Sequence, residues 1–216
     1  MNNSPDNVPR KRLTRAEAKA QTRALLLDAA AHTFARKGFA GASVEEIAER
    51  AGFTVGAIYS NFGSKDELFV ALLSERANDR IVRAAEILGG DAAGSEDPVA
   101  ALGDLLISVA DKDSDFAPLQ AEFWLYATRN ARTMETLAAQ SQQTRDALAK
   151  VIERRVSNVG GTLTGPVDSM ATVVLALFQG LVAQRRTDPD SVPDDLFGQA
   201  LRWLFASVVT TPPAHP

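Results

Sequence analysis

Residues 43–62 read SVEEIAERAGFTVGAIYSNF, and each special position in that stretch has a local physical task. Ser43 followed three residues later by Glu46 makes a capping box, the hydroxyl taking an orphan amide and the carboxylate reaching back, so a helix starts at Val44. Gly52 supplies the positive φ of a tight turn, and Thr54 is placed to cap a second helix. Ile47, Ala51, Phe53 and Ile58 form a small core between the two, with Ala48 small enough for a close crossing. That leaves Thr54, Val55, Gly56, Tyr59, Ser60 and Asn61 on or near the outer side of a helix able to enter a major groove. The stretch therefore predicts a helix-turn-helix. A helical hairpin inside an ordinary bundle, with Tyr59 and Phe62 as plain core aromatics, is the competing reading. Against it stand a second capping box at Ser64 and Glu67, a basic segment upstream, and Lys65 directly after the motif.

Upstream, a helix is predicted from about Ala16 to Lys37, with Leu27, Ala30, Ala31 and Phe34 on one stripe and Gly38 placed to end it in a left-handed conformation. Downstream, the Ser64 and Glu67 box opens a long helix from Lys65 to about Leu88 that can join the N-terminal module to the rest. Further helices are expected from Pro98, over 116–129, about 131–157, 166–186 and about 193–209; GGDAAGSEDP, NVGGTLTGP and TDPDSVP are read as linkers. β-branched runs that would mark strands are missing, so the fold class is all-α. The division expected is a polar arm at 1–13, a three-helix head at 14–63, a larger helical-bundle body at 64–210 and a Pro-rich tail at 211–216. Arm and tail are both expected to be disordered.

Composition narrows the chemistry. The chain has 216 residues, 45% of them hydrophobic, enough to bury a sizeable core. No apolar run approaches the roughly 20 residues that cross a bilayer, so no membrane partner is expected. The front end lacks the apolar segment of a secretory signal, which points to the cytoplasm. With no cysteine, disulfides, thiolate metal sites and cysteine nucleophiles are excluded, and His32 and His215 lie far apart in sequence. Asp111, Asp113, Asp115 and Glu122 have spacings akin to a calcium loop. Phe116 stands where a glycine must make the turn and Pro118 breaks the loop, so a solvated acidic connector is expected and no metal. No cofactor is implied either, and no grouping of acids or of Ser, His and Asp supports an enzyme.

Net charge is −4, but unevenly placed. Residues 1–37 carry eight basic side chains (Arg10, Lys11, Arg12, Arg15, Lys19, Arg23, Arg36, Lys37) against three acids (Asp6, Glu17, Asp28), a balance of +5 that leaves −9 for everything after. A basic front on an acidic body suggests that only the front meets a polyanion. The arm from Arg10 to Arg23 is read either as touching DNA or as a solvated spectator.

The stretch LLLDAAAHTFARKGFAGASVEEIAERAGFTVGAIYSNFGSKDELFVALL, with the Ala51-Gly52 turn, Tyr59 and Phe62, and the run Lys65-Asp66-Glu67-Leu68, resembles the N-terminal domain of the TetR family of bacterial repressors. The resemblance covers residues 22–72. It implies a DNA-binding head on a helical body that dimerises and often holds an effector pocket, hence a transcriptional regulator, a repressor released from its operator by a small apolar or amphipathic ligand. It also implies that Tyr59 and Lys65 contact phosphates and Thr54 makes a contact at the start of the reading helix. The chemistry agrees: a phenol donates to a phosphate oxygen while its ring packs, and Lys65 sits at a helix N-terminus that favours an anion. Val55 departs from the polar or basic residue of many relatives and Asn61 from their histidine or tyrosine, so Val55 suits a thymine methyl and Asn61 an adenine. Ser43, Gly56 and Ser60 complete the expected DNA-binding residues.

One head spans too few base pairs for tight specific binding, so a homodimer on a pseudo-palindromic duplex operator is expected, its heads about 34–36 Å apart. The dimer face is assigned to the last two helices, which are apolar on more than one side: Met170, Val173, Leu177 and Leu181, with Gly180 for close approach, and Leu196, Ala200, Trp203 and Leu204. Intramolecular core is the alternative. Phe116, Phe123, Trp124, Tyr126 and Met134, joined by Gln120 and Phe178, are candidates to line an effector pocket, the alternative again being plain core. Two other function classes compete with the regulator: a helical enzyme, and a structural helical dimer with a vestigial head.

Overall fold

The computed structural model of the chain describes residues 14–89, 97–112 and 117–210, apart from the side chains of Lys112 and Val208. The predicted arm, the tail, Phe116, Asp113 and Asp115 lie outside the described residues. Helices within them are α1 (Arg15–Gly41), α2 (Val44–Ala51), α3 (Val55–Phe62), α4 (Lys65–Gly89), α5 (Pro98–Lys112), α6 (Ala117–Ala127), α7 (Ala131–Asn158), α8 (Val167–Thr187) and α9 (Leu196–Val208). The all-α expectation holds with one small correction. Thr162–Leu163 (β1) pairs antiparallel with Val209–Thr210 (β2), and a two-residue ladder is too short to leave an alternating pattern in the sequence.

Local signals place most helix starts. Thr14 and Glu17 form a capping box at α1, not foreseen from the sequence, with Glu17 N donating to Thr14 Oγ1 at 3.2 Å. Gly38 does have positive φ (73°), but its ψ of 173° is extended, and the chain makes one more turn to Gly41. Asp97 caps α5 by accepting from Val99 N at 2.9 Å and Ala100 N at 3.2 Å. C-terminal ends are closed by cations from distant helices: Arg155 donates to the Leu88 carbonyl, and Arg186 to those of Val109 and Ala110.

Two apolar clusters organise the described residues. One joins α1, α2, α3 and the first turns of α4 to Leu119 and Phe123 of α6, so it continues past residue 63, where the sequence places the head's end. The other fills the space between α5, α7, α8 and α9 and the far half of α4. Helix α8, over Val167–Thr187, is long and apolar enough to cross a membrane by length and composition alone. Gln179 and the flanking Asp168, Arg185 and Arg186 hide this in a search for an uninterrupted apolar run. It nonetheless packs with α5, α7 and α9, and only 28% of its most apolar stretch is buried within the chain.

Candidate nucleic-acid interface and effector cavity

The helix-turn-helix is assembled almost wholly from neighbours in sequence. Ser43 Oγ accepts from Glu46 N at 3.2 Å, and Glu46 Oε2 accepts from Ser43 N at 3.5 Å. Glu46 also pairs with Lys37 of α1, whose ammonium is the main reason its carboxyl sits below the ordinary carboxylate range. Gly52 ends α2 in the left-handed region (φ 72°, ψ 27°), its N–H pointing at the carbonyls of Ala48 and Glu49. Thr54 Oγ1 accepts from Ala57 N at 3.3 Å and caps α3. Ile47, Ala48 and Ile58 are buried, and Ala51 and Phe53 pack against them, as expected. Thr54, Gly56, Tyr59 and Ser60 are exposed on one side, Tyr59 at 49%, and Val55 is half-buried beside them. Tyr59 is thus not a core aromatic. Phe62 is, at 5% exposure.

Two of the expected contacts are otherwise engaged. Lys65 Nζ donates to the carbonyls of Phe39 at 2.9 Å and Ala42 at 3.1 Å, and stands 4.5 Å above the Phe39 ring. Its charge closes the C-terminal end of α1, where unpaired carbonyls collect. Asn61 folds back on α3: Nδ2 donates to the Ala57 carbonyl at 2.8 Å, while Oδ1 is buried without a hydrogen-bond partner. Reading a base with Asn61 would require breaking that bond. Arg23 of the basic segment lies 4.3 Å over the Phe62 ring and donates to the Asn61 carbonyl at 3.1 Å. It braces the end of the reading helix from within the head.

A junction that the sequence reading missed fastens this head to the body. Glu122 of α6, read from sequence as part of a solvated connector, accepts from Phe39 N at 3.0 Å and Ala40 N at 2.8 Å. Both amides lie just after the break at Gly38, where a Cβ would come within 2.6 Å of Glu122 Oε2. Glycine is therefore required there twice over, by its φ and by the approaching carboxylate. Phe123 stacks into the ring cluster of Phe34, Phe39 and Phe69, with centroids 4.4 Å from Phe69 and 4.8 Å from Phe39. Thr133 of α7, 2% exposed, donates to Asp66 at the start of α4 at 2.5 Å. Residues 82 to 83 positions apart meet here, so no local pattern announces the contact.

The apolar cavity lies elsewhere. It has a volume of about 140 Å³ and is bounded by Ala77, Arg80, Ile81 and Ala84 of α4, Leu102 and Leu105 of α5, Leu148 and Ile152 of α7, and Val174 and Phe178 of α8, with α9 closing it. Among the described residues, Phe178 is the one sequence candidate that lines it. Phe123 is in the junction instead, Trp124 and Tyr126 are exposed, Met134 is half-buried away from it, and Gln120 borders a neighbouring cleft of about 330 Å³. The rings of α6 fill the junction, while aliphatic side chains together with Phe178, Phe197 and Phe205 surround the void. The available signal was α4, where Ala77, Ile81, Ala84 and Leu88 make a helical stripe interrupted by Arg80.

Comparison with known proteins agrees with this geometry. Residues 26–72 match the family model described as bacterial regulatory proteins, tetR family, and residues 96–209 match that of the BetI-type transcriptional repressor, C-terminal. The chain is 32% identical over 211 residues to the HTH-type transcriptional regulator TtgR of Pseudomonas putida, covering 89% of this chain and 92% of TtgR. It belongs to the TetR family. A TetR-family regulator structure from Mesorhizobium loti superposes with a TM-score of 0.65 at 18% identity, over 92% of this chain and all of that one. The multidrug binding protein EbrR, complexed with proflavin, does so at 0.54 and 22%, over 85% and 99%. Its relatives are named regulators rather than enzymes, and this TetR-family chain is a DNA-binding transcriptional regulator.

In this TetR-family body the residues assigned to a dimer face divide. Val173 is 50% exposed and Trp203 65% exposed, and Gly180 is open with nothing near it. Leu177, Leu181, Leu196, Ala200 and Leu204 are half-buried. Met170 corrects the assignment: at 6% exposure it belongs to the core between α7 and α8, the inner side of a helix whose apolar residues face both ways.

Proposed function

We propose that this TetR-family regulator is a repressor that binds a pseudo-palindromic operator as a homodimer and leaves it when a small molecule occupies the cavity among α4, α5, α7 and α8. The observation that carries the reading is the exposed set on and beside α3: Tyr59 and Ser60 follow Gly56 by three and four positions, on one face of a helix whose Ile58 and Phe62 are buried, with Thr54 exposed at its cap. The Tyr59 hydroxyl and the first amides of α3 meet phosphates, Ser43 at the start of α2 supports the same strand contact, and Val55 and Ser60 face base edges. Lys65 serves mainly by fixing α1 against α4, with one of its three protons left for a phosphate. Val173, Gly180 and Trp203 form the centre of the dimer face; an exposed apolar side on α8 and a bare indole on α9 suit a second copy of the chain. The protein then acts in the cytoplasm.

Occupancy acts through α4, whose middle lines the cavity and whose first turn carries Asp66 and Lys65 at the head junction. A ligand that favours one position of α4 shifts the spacing of the two heads by population. Mobility-shift titration against the DNA upstream of the chain's own gene tests the first part: a retarded band at nanomolar protein, lost on Tyr59→Ala, is expected. Retardation unchanged by Tyr59→Ala would overturn the assignment of the face. Light scattering showing a monomer at micromolar protein would remove the dimer.

A further inference from the structure

The charge around the cavity has one sign, and that selects a ligand. Among the described residues lining the 140 Å³ cavity, Arg80 is the one charged side chain, with Thr144 and Gln179 as polar neighbours. The adjoining 330 Å³ cleft shares Ala77, Arg80, Thr144, Leu175 and Gln179 with it and adds Arg76 and Arg145. Neither lining contains an aspartate or glutamate among the described residues. Asp28, Glu75 and Asp79 line a third cleft, bordered by α1 and α5, which Arg76 and Arg80 also line, so the two arginines stand between the acids and the cavity.

Resting on the proposed role of this cavity, we infer that the effector is an amphipathic carboxylate: one ring or a similarly small apolar group, joined by a short linker to an anionic head. The size follows from volume, since about 150 Å³ is enough to hold benzene. The sign follows from desolvation. A cation in this cavity would lose water beside Arg80 with no carboxylate to meet it, whereas an anion gains a guanidinium suited to bidentate pairing. Arg76 and Arg80 already interact within the fold. The ligand therefore shares those guanidinium groups with their protein partners, adding an acceptor on the cavity side. Gln179 of α8, on the wall of both spaces, supplies a neutral donor to the same head, while the Thr144 hydroxyl is spent on the Gln140 carbonyl.

The test is calorimetric titration of the full chain with 4-phenylbutyrate, 4-phenylbutan-1-ol and 4-phenylbutylammonium, which differ only in the head. The carboxylate is expected to bind about ten-fold or more tightly than the alcohol, with the ammonium weakest, as one charge-assisted hydrogen bond lost or gained requires. Arg80→Met should bring the carboxylate down to the alcohol. Should that variant fail to fold, the wild-type ranking still decides, and Ala84→Trp, which fills the cavity, should abolish binding of all three. If the alcohol or the ammonium equals or exceeds the carboxylate and Ala84→Trp blocks it, the cavity is the effector site but the anionic assignment is wrong. If none of the three binds, or Ala84→Trp leaves binding intact, the reading of the cavity falls and the inference falls with it.

Discussion

The two apolar clusters of this molecule are built differently. Around the head, four phenylalanines meet stacked, edge to face or tilted, with Phe34, Phe69 and Phe123 at 1% exposure or less. In the body, aliphatic side chains from α4, α5 and α7 leave a void of about 140 Å³ whose remaining wall includes Phe178 of α8 and Phe197 and Phe205 of α9. Close packing in the first holds the reading helix in place, because Ile58 and Phe62 of α3 are buried in the same cluster. An unfilled second cluster has forgone those contacts and is the part that a ligand can complete.

Substitutions at rings of the two clusters test this contrast. Phe69→Ala, at a fully buried position, should destabilise by about 3–5 kcal/mol in urea unfolding, while Phe178→Ala on the cavity wall should cost less than half of that. Equal losses would mean that the body is packed as tightly as the head. Glu122→Gln should cost about 1–3 kcal/mol, because the amide that replaces a carboxylate oxygen would face the N–H of Phe39 or Ala40. It should also weaken any effect of cavity occupancy on operator release, measured as the ratio of DNA affinities with and without ligand. Tyr59→Phe should lower operator affinity about ten-fold while leaving the unfolding midpoint unchanged, since the hydroxyl is on an exposed ring. A shift in the midpoint would place Tyr59 among the structural residues.

The smallest effect expected is on pH. The carboxyls of Glu46 and Asp97 sit below their usual range, the first chiefly through Lys37 and the second chiefly through the Ala100 amide. A depressed carboxyl stabilises the fold above its unfolded value and loses that contribution as pH falls through the folded one. Glu46→Gln should therefore flatten the acid limb of the head's unfolding, and Asp97→Asn that of the body. An unchanged acid limb in both would assign the loss of stability to other groups.

Much of the head was legible because its determinants lie three to five residues apart. Ser43 with Glu46, Ser64 with Glu67, Gly52 and Thr54 each act on the turn they occupy, and a capping box needs no distant partner. The position of Glu122 was not legible, since its partners are the amides of Phe39 and Ala40 and nothing near it in sequence distinguishes it from a solvated acid. The lining of the cavity was out of reach for a related reason: aromatic spacing on α6 identifies a buried face but not which cluster the face enters. Lys65 and Asn61 show the same limit at close range, where the residue types suggested DNA and the fold gave their donors to carbonyls.

The order of the helices and the turn between α2 and α3 could be read along the chain, because backbone preferences and caps act within a turn, and the family followed from the residues of that stretch. The place of the void, the α8 residues that turn inward and the grip of α6 on the head emerge only in the folded bundle. Those depend on side chains brought together from distant helices, and which of them meet is fixed by the closing of the whole bundle rather than by any one segment.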